Sequence, residues 1–532
     1  ASNNTAIGNS ALTANTTGGN QVAVGYGALD ANTTANDNVA VGHSALGVNT
    51  TGPRNTAIGT YSLDANTTGA DNTALGDSAL SGNTTANNNV AIGKSALYAN
   101  TTGGNNIAIG YQALDAATTV SNNVAIGYQA MTASTTADAS VVIGGAAGDA
   151  ITTGGNNVLV GYNSGSALTT GASNTALGAS ALAQNTTSPK NTAVGSSALG
   201  TFNITNGGAG HNTAVGANAA DALTTGSGTT AIGSGALGTA TTGERQTAVG
   251  TGALTLATNP SDNTAIGYYA GGAITTGGTN TVVGSYALDA LTTASGNVAV
   301  GAYAMTAATT ADSTVCVGYE AGGAITTGTD NTFIGKRAGD TQTTGNSNTC
   351  IGSASDTGSS SAASRIAIGQ GVTATQDARI TVGIGSNIAE LDLNGSDEAW
   401  AASSDERLKE NVEDSTAGLA FINELRPITY QWKKKKDVPS DMPHYEEDSE
   451  ERCLGQDDTF RHGFIAQEVK ATIDKYDSIK DGQGIWKTSD DKVQKIAKGG
   501  LIPMLVKAVQ ELSAEVEELK QKAHDKCDNN GE

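Results

Sequence analysis

Through most of the chain, apolar and polar positions follow one pattern that recurs every 17 residues. Each unit reads Asn-Thr-Ala-Ile-Gly or a close variant, then two variable residues, Ala-Leu, and a loop that usually contains Thr-Thr-Gly. The glycines run from Gly8 to Gly195 at this spacing, resume at Gly216 after four inserted residues, and continue to Gly369. A period this strict over 22 units requires each unit to stack on the previous one in the same way.

The unit is short and rich in Thr, Val, Ile and Gly, which favours one coil of a parallel β-solenoid over a helical repeat. The pattern therefore predicts a mainly β fold, a β-roll of about 22 coils over residues 1–385. Each Asn-Thr-Ala-Ile would form a strand, and each glycine a sharp turn. Coils stacked about 4.8 Å apart would make a rod roughly 100 Å long.

Both faces of each predicted strand are apolar. The residue before each glycine is Ile, Val or Leu, and the residue before that is nearly always Ala. Because neighbouring strand residues point to opposite faces, one face can line the coil while the other needs a partner surface. The simplest partner is another copy of the chain, so a homo-oligomer is expected. Asn opens the strand in 16 of 22 units, which predicts a ladder of stacked amides.

Three other features of the repeats carry expectations. The Thr-Thr pairs favour a solvated row of hydroxyl groups and leave an ice- or glycan-binding surface as an alternative function. Cys316 and Cys350 lie two coils apart, about 9.6 Å, which is too far for a disulfide; both are expected to be small buried residues. The insertion from Phe202 to His211 is expected to bulge from the shaft as a tolerated loop.

The repeats resemble the head domains of trimeric autotransporter adhesins, in which similar motifs build left-handed parallel β-rolls packed three together. The motif reads NTAIG or NVAVG in this chain, and the likeness extends over about 375 residues. The resemblance implies a trimeric shaft. It also leaves a cell-surface adhesin, located outside the cell, as an alternative interpretation.

Composition and charge restrict the function further. With 70 Gly and 4% aromatic residues, most of the chain cannot build a thick core, yet its many β-branched residues are untypical of disorder. The formal charge of −22 argues against binding to nucleic acid or to an anionic membrane. No membrane-spanning run or metal-binding Cys pattern occurs, and no cofactor is predicted. Because the sequence opens inside a repeat, a preceding segment that joins the shaft to a virion is expected.

The character of the sequence changes near residue 386. Residues 386–403 are predicted to form a neck, and residues 404–532 contain 20 of the 28 Lys and Arg. This last region is predicted to be a small α+β domain ending in a short coiled coil at about residues 501–524. The coiled coil is predicted from apolar residues at alternating steps of three and four: Ile502, Leu505, Val509, Leu512, Val516 and Leu519.

Four motifs follow one another in the C-terminal region: Ser404–Lys409 (SDERLK), Leu425–Tyr430 (LRPITY), Gly463–Val469 (GFIAQEV) and Leu501–Leu512. Together they resemble the C-terminal intramolecular chaperone auto-processing domain of phage tail spikes and fibres, of the endosialidase type. The resemblance implies a homotrimer that guides three fibre chains into register and then cuts itself off.

The resemblance places the nucleophile on Ser404 and the lysine base on Lys409, with cleavage between Ser403 and Ser404. Serine needs a base to remove its proton, and lysine can serve only where its surroundings lower its pKa enough to make it neutral. Asp405 is expected to cap the following segment, and Arg407 to hold the site or to lower the pKa of the lysine. The enzyme would be a single-turnover serine peptidase that acts only on its own chain.

The resulting hypothesis is a homotrimeric viral tail fibre or spike, located in the virion, that attaches to a host surface receptor such as a glycan. A shaft of nearly identical coils can pair out of register by one repeat. A domain that trimerises first would fix the alignment, and its removal would make the fibre kinetically stable. A depolymerase is disfavoured because it would need paired carboxylates in a cleft, and the repeats vary too little to build one.

Overall fold

The computed structural model describes residues 2–204, 208, 210–393, 401–402, 410, 412–440, 442, 444–453, 460–479, 485–488 and 494–528. The chain divides into two compact units, Ala1–Ser403 and Ser404–Glu532. None of the helices in the described residues is both long enough and apolar enough to cross a membrane.

The N-terminal unit is a parallel β-solenoid, as the sequence predicts. Each of its first 22 strands pairs in parallel with the next, and in most coils a residue lies opposite the residue 17 positions later. The strands are β1 (Thr5–Ile7), β2 (Val22–Val24), β3 (Val39–Val41), β4 (Thr56–Ile58), β5 (Thr73–Leu75), β6 (Val90–Ile92), β7 (Ile107–Ile109), β8 (Val124–Ile126), β9 (Val141–Ile143), β10 (Val158–Val160), β11 (Thr175–Leu177), β12 (Thr192–Val194), β13 (Thr213–Val215), β14 (Thr230–Ile232), β15 (Thr247–Val249), β16 (Thr264–Ile266), β17 (Thr281–Val283), β18 (Val298–Val300), β19 (Val315–Val317), β20 (Thr332–Ile334), β21 (Thr349–Ile351) and β22 (Arg365–Ile368).

The middle residue of each strand points into the coil, and the two outer residues point away from it. In β4, Ala57 is fully buried, whereas Ile58 keeps 38% of its surface exposed. The interior opposite the strand is filled by the Ala-Leu pair, such as Ala45 and Leu46, both fully buried. The core is therefore thin and made of small and aliphatic side chains, and the second apolar face lies on the surface of a single chain.

The glycine that ends each strand is required by a close approach between coils. Gly59 has φ +140°, and a Cβ atom added to it would lie 2.3 Å from the backbone oxygen of Gly76 in the next coil. A larger residue would therefore combine an unfavourable backbone conformation with a clash against main-chain atoms that cannot move aside. The strict spacing of the glycines follows from this contact.

Buried asparagines form two ladders. The strand-Asn row consists of the residues four positions before each strand-ending glycine, such as Asn55, and the loop-Asn row of the residues seven positions after it, such as Asn66. The Oδ1 atom of Asn55 accepts a hydrogen bond from the backbone N–H of Asn72 in the next coil, at 3.0 Å. The Nδ2 groups of Asn55 and Asn66 both donate to the oxygen of Gly69, at 2.8 and 2.9 Å. The predicted ladder is confirmed, and its recurrent bond joins a side chain to the backbone.

The threonine pairs divide into a scaffold residue and a surface residue. The hydroxyl of Thr33 donates to the backbone oxygen of Thr50, and that of Thr50 to the backbone oxygen of Thr67, both at 3.0 Å. The second threonine of the pair, such as Thr34, is exposed. Half of the hydroxyl groups that the sequence suggests for an outer array are therefore engaged between coils.

The structure contradicts the prediction for Phe202 in the insertion and confirms the prediction for the two cysteines of the repeats. Phe202 is fully buried, so the expectation that it bulges from the shaft is wrong. It occupies the loop-Asn position of its coil, and its ring fills the interior there. Residues 205–207 and 209 of the insertion lie outside the described part of the chain. Cys316 and Cys350 are buried and unpaired, as expected, and burial raises the pKa of both thiols.

A short hairpin follows the last coil. Strand β23 (Arg379–Ile384) pairs in parallel with β22 and antiparallel with β24 (Asn387–Asp392), which in turn pairs with β25 (Ala401–Ala402). The Arg379 guanidinium donates to Asp392 at 2.5 Å and to Glu390 at 2.8 Å. These charge-assisted bonds join the two strands of the hairpin.

The C-terminal unit is a small α+β domain, as predicted. It contains α1 (Leu419–Glu424), β26 (Ile428–Tyr430), β27 (Arg461–Gly463), α2 (Ala466–Ile473), β28 (Trp486–Thr488), β29 (Gln494–Ile496) and α3 (Ile502–Asp528), with short 3₁₀ helices at Lys435–Asp437, Asp477–Ile479 and Lys498–Leu501. Its core joins Phe421 of α1, Val469 and Ile473 of α2, and Leu501 and Met504 at the start of α3.

Candidate functional site

The predicted cleavage site belongs to a segment that the structure leaves undescribed. Ser403, Ser404, Asp405, Arg407 and Lys409 all lie outside the described residues. The Ser-Lys dyad and the scissile bond therefore stay predictions. The other three C-terminal motifs lie within the described residues.

The second and third motifs pair with each other. In the antiparallel pair β26–β27, Ile428 lies opposite Gly463, and a Cβ atom on that glycine would approach the ring of Tyr430 to 3.1 Å. Arg426 binds Glu468 through two nitrogens of its guanidinium group: Nε donates to Oε2 at 2.9 Å, and Nη2 donates to Oε1. This pairing lowers the pKa of the Glu468 carboxyl. The two motifs thus form one continuous structural element, although more than 30 residues separate them in the sequence.

A shallow cavity of about 290 Å³ opens between these motifs. Its lining consists of Pro427, Ile428, Thr429, His462, Gly463 and Phe464. His462, which the sequence pattern indicates to be a surface residue, is exposed and contributes to this lining. No group of three His, Cys, Asp or Glu side chains suited to a metal ion occurs among the described residues.

The fourth motif connects the long helix α3 to the start of α1. The backbone N–H of Leu419 donates to Oε2 of Glu511 at 2.6 Å. A carboxylate at this position satisfies a free N–H group of the helix and interacts favourably with the positive end of its dipole. A Cβ atom on the preceding Gly418 would lie 2.3 Å from the same carboxylate, so a larger residue there would displace the Glu511 side chain.

Helix α3 carries two apolar faces. Leu501, Met504 and Ala508 face the core of the domain. A second stripe is exposed by 40–64% and has the heptad spacing found in the sequence: Ile502, Leu505, Val509, Leu512, Val516 and Leu519. A single chain leaves this stripe in water, and the coiled coil stays a prediction that the exposed stripe favours.

A family model described as chaperone of endosialidase matches residues 404–477. The match begins at the predicted nucleophile and includes the first three motifs. No curated protein matches the chain. The C-terminal unit thus carries an endosialidase-type chaperone domain, and a long solenoid followed by such a domain fits a tail-spike-like protein. The combination indicates a trimeric fibre with an intramolecular chaperone, and the family implies that the chaperone is released by autoproteolysis.

Proposed function

We propose that the chain forms the shaft of a trimeric viral tail fibre or spike that attaches a virion to its host. In this proposal the C-terminal chaperone aligns three chains and is then released by cleavage between Ser403 and Ser404. The observation that carries the proposal is the outward apolar strand face, which continues along 22 coils and is followed in the sequence by a chaperone domain.

The outward face offers enough apolar surface to hold chains together. Ile58, Leu75, Ile232, Ile266 and Ile351 remain 38–44% exposed. Full burial of such a side chain stabilises by about 1.5–3 kcal/mol, so covering the exposed part contributes roughly 0.6–1.2 kcal/mol per coil. Most other coils expose less of this residue, so over 22 coils the gross gain is on the order of 10–20 kcal/mol per chain. This is comparable to or larger than the entropic cost of association, about 4–15 kcal/mol.

The same face distinguishes poorly between chains that are aligned and chains that are displaced by one coil. A chain displaced by one coil still pairs 21 of its 22 coils, so the aligned and displaced forms differ by the contacts of a single coil. A domain that trimerises independently of the shaft supplies the missing alignment. The exposed stripe of α3 is the surface that we assign to this first step, because three such stripes can pack as a coiled coil.

The cleavage chemistry follows from the order of residues at the site. The Ser404 hydroxyl attacks the carbonyl carbon of residue 403 while Lys409 accepts the hydroxyl proton. The peptide nitrogen of Ser404 takes up a proton and leaves as an amine, so that residue 403 is held as an ester on the serine oxygen. Water then hydrolyses the ester. Because only a neutral lysine can accept the proton, cleavage should accelerate as the pH rises.

The test compares the masses of purified chains. The native sequence should yield fragments of 403 and 129 residues, whereas Ser404→Ala and Lys409→Ala should remain intact. Ser440→Ala and Lys433→Ala are matched controls on exposed residues and should be cleaved like the native chain. Equal cleavage of the native and Ser404→Ala chains, or a rate that falls with rising pH, would contradict the mechanism.

The oligomeric state is measured on the same samples. Intact Ser404→Ala and the processed native shaft should both sediment as trimers. A processed shaft that remains a monomer at all concentrations would show that the outward face does not hold chains together, and the fibre proposal would fail.

A further inference from the structure

The tyrosines of the shaft all lie at its surface. Eleven of the chain's 14 tyrosines belong to the repeats, and none of these is buried. Five of them come together on the four consecutive coils that contain strands β16 to β19. We call this group the tyrosine patch: Tyr268, Tyr269, Tyr286, Tyr303 and Tyr319.

Three rings of the patch stack, and two others stand across them. Tyr269, Tyr286 and Tyr303 occupy the second position after their glycines, with centroid distances of 6.0 and 5.7 Å and interplanar angles of 7° and 11°. Tyr268 meets Tyr286 at 81°, and Tyr319 meets Tyr303 at 83°. Because Tyr268 also contacts Tyr269 at 77°, it stands nearly perpendicular to two parallel rings, and 47% of its surface is exposed.

A notch separates the two crossing rings. Tyr268 and Tyr319 occupy the first position after their glycines, and the two coils between them carry Ser285 and Ala302 there. Three coil spacings, about 14 Å, therefore separate two tyrosines that are 47% and 44% exposed. The short side chains leave this space open, and the rings of Tyr286 and Tyr303 flank it.

The patch is a departure from the repeat. An interface between copies of a solenoid must recur on every coil, as the outward strand residues do. The first position after the glycine is different, because in other coils it holds residues as unlike as Asp77, Lys94 and Ala179, and tyrosine in four of them: Tyr26, Tyr111, Tyr128 and Tyr162. Five rings within four coils are therefore a local feature of this surface, which is the property of a binding site.

The area of the patch points to a small or linear ligand. At about 200 Å² per side chain, the four tyrosines with 38–47% exposure present roughly 350 Å² to solvent. A stable interface with a folded protein needs about 800 Å² per partner. Tyrosine combines a rigid apolar ring with a hydroxyl group at low entropic cost, which suits a ligand that is itself both apolar and hydroxylated.

We infer that the tyrosine patch is a binding site for a neutral oligosaccharide that runs along the solenoid. The C–H faces of two sugar rings would stack on Tyr268 and Tyr319, and sugar hydroxyl groups would bond to the tyrosine and Ser285 hydroxyls. The net charge of −22 repels anionic polymers and so favours a neutral sugar. The inference deepens the attachment role and rests on the proposed function for its biological meaning.

The experiment is affinity electrophoresis of the full chain in native gels that contain dextran, mannan or galactan, with alginate as the anionic comparison. At least one neutral polysaccharide should retard the chain. The double variant Tyr268→Ser/Tyr319→Ser should bind that polysaccharide at least about tenfold more weakly. The control Tyr26→Ser/Tyr128→Ser removes two tyrosines from other coils that are more exposed, at 57% and 59%, and should behave like the native chain.

Three results would overturn the inference. They are no retardation by any of the neutral polysaccharides, equal retardation of the native chain and the Tyr268→Ser/Tyr319→Ser variant, and dissociation of the trimer in that variant, which would mark the patch as an interface between copies. Mass and sedimentation are recorded on the same samples. Chains that are cleaved and trimeric but do not bind sugar refute only the sugar site. Chains that bind sugar but stay uncleaved or monomeric refute only the proposed fibre mechanism.

Discussion

Replacing Asn55 by leucine should destabilise the shaft more than replacing Asn66 by leucine, although both amides are fully buried in the same coil. Both donate to the backbone oxygen of Gly69. Their acceptor atoms differ. The Oδ1 atom of Asn55 accepts from both the backbone N–H and the side-chain amide of Asn72, at 3.0 and 3.1 Å. The Oδ1 atom of Asn66 accepts from the side-chain amide of Asn83 at 2.9 Å.

The expected difference follows from the group that loses its partner. Leucine in place of Asn55 leaves a buried backbone N–H without an acceptor, which costs about 1–3 kcal/mol. Both substitutions lose the bond to Gly69, so this loss cancels in the comparison. The remaining difference corresponds to roughly a 5- to 150-fold change in the local opening equilibrium. The sequence agrees with this ranking: Leu168 and Ile151 occur naturally in the loop-Asn row, whereas the strand-Asn row contains only polar residues.

The assay is hydrogen exchange followed by mass spectrometry on the intact trimer, because it reports the opening of individual coils. Peptides that cover β5 should exchange faster in Asn55→Leu than in Asn66→Leu. Asn55→Ser serves as the rescue control. In a natural coil the hydroxyl of Ser140 accepts the N–H of Asn157 at 3.2 Å, so serine should restore most of the protection. Equal exchange in the two leucine variants would refute the reasoning, because the backbone bond would then contribute nothing.

Three further outcomes are expected. Gly59→Ala should prevent stable folding of the shaft, because its Cβ atom would lie 2.3 Å from a backbone oxygen. Gly145→Ala, whose Cβ atom would have its nearest contact at 3.5 Å, should melt like the native protein. Equal melting curves for the two variants would contradict this prediction. Ile58→Ser should weaken the trimer by about 1 kcal/mol per chain, which sedimentation in graded urea measures, and an unchanged midpoint would argue against burial of this face. The Arg379 guanidinium lowers the pKa of the Asp392 carboxyl, so the ion pair stabilises the hairpin at pH values above the ordinary carboxyl pKa and loses this contribution as the pH falls through the lowered pKa. Hydrogen exchange in β23 and β24, corrected for its intrinsic pH dependence, should therefore rise below about pH 4. A flat pH profile would exclude the effect.

The repeat could be predicted from the sequence because one constraint acts identically in every coil. The alternation of Ala57 and Ile58 identifies the two strand faces, and the spacing of the glycines fixes the parallel register. The hydrogen-bond partner of each buried amide could not be predicted in the same way. Whether the Oδ1 atom of Asn55 reaches the backbone N–H of the next coil depends on the offset between adjacent coils, which the sequence pattern does not contain.

Other features could not be predicted for local reasons. Phe202 was assigned to a bulge because it begins the insertion, yet the extra residues follow it and leave its ring in the interior. The tyrosine patch could not be predicted from the consensus sequence of the repeat, because the consensus omits the positions at which the coils differ. The cleavage residues Ser404 and Lys409 were identified by resemblance alone, because six residues of sequence carry no information on how the two side chains are oriented.

The way each coil bonds only to its two neighbours also bears on how such a gene can change. Removing or duplicating a whole 17-residue unit leaves every remaining coil with the same partners and the same hydrogen bonds. Recombination between the near-identical repeats of the gene would therefore lengthen or shorten the rod without a damaged intermediate. The length of the shaft would become a quantity that selection can adjust one coil at a time.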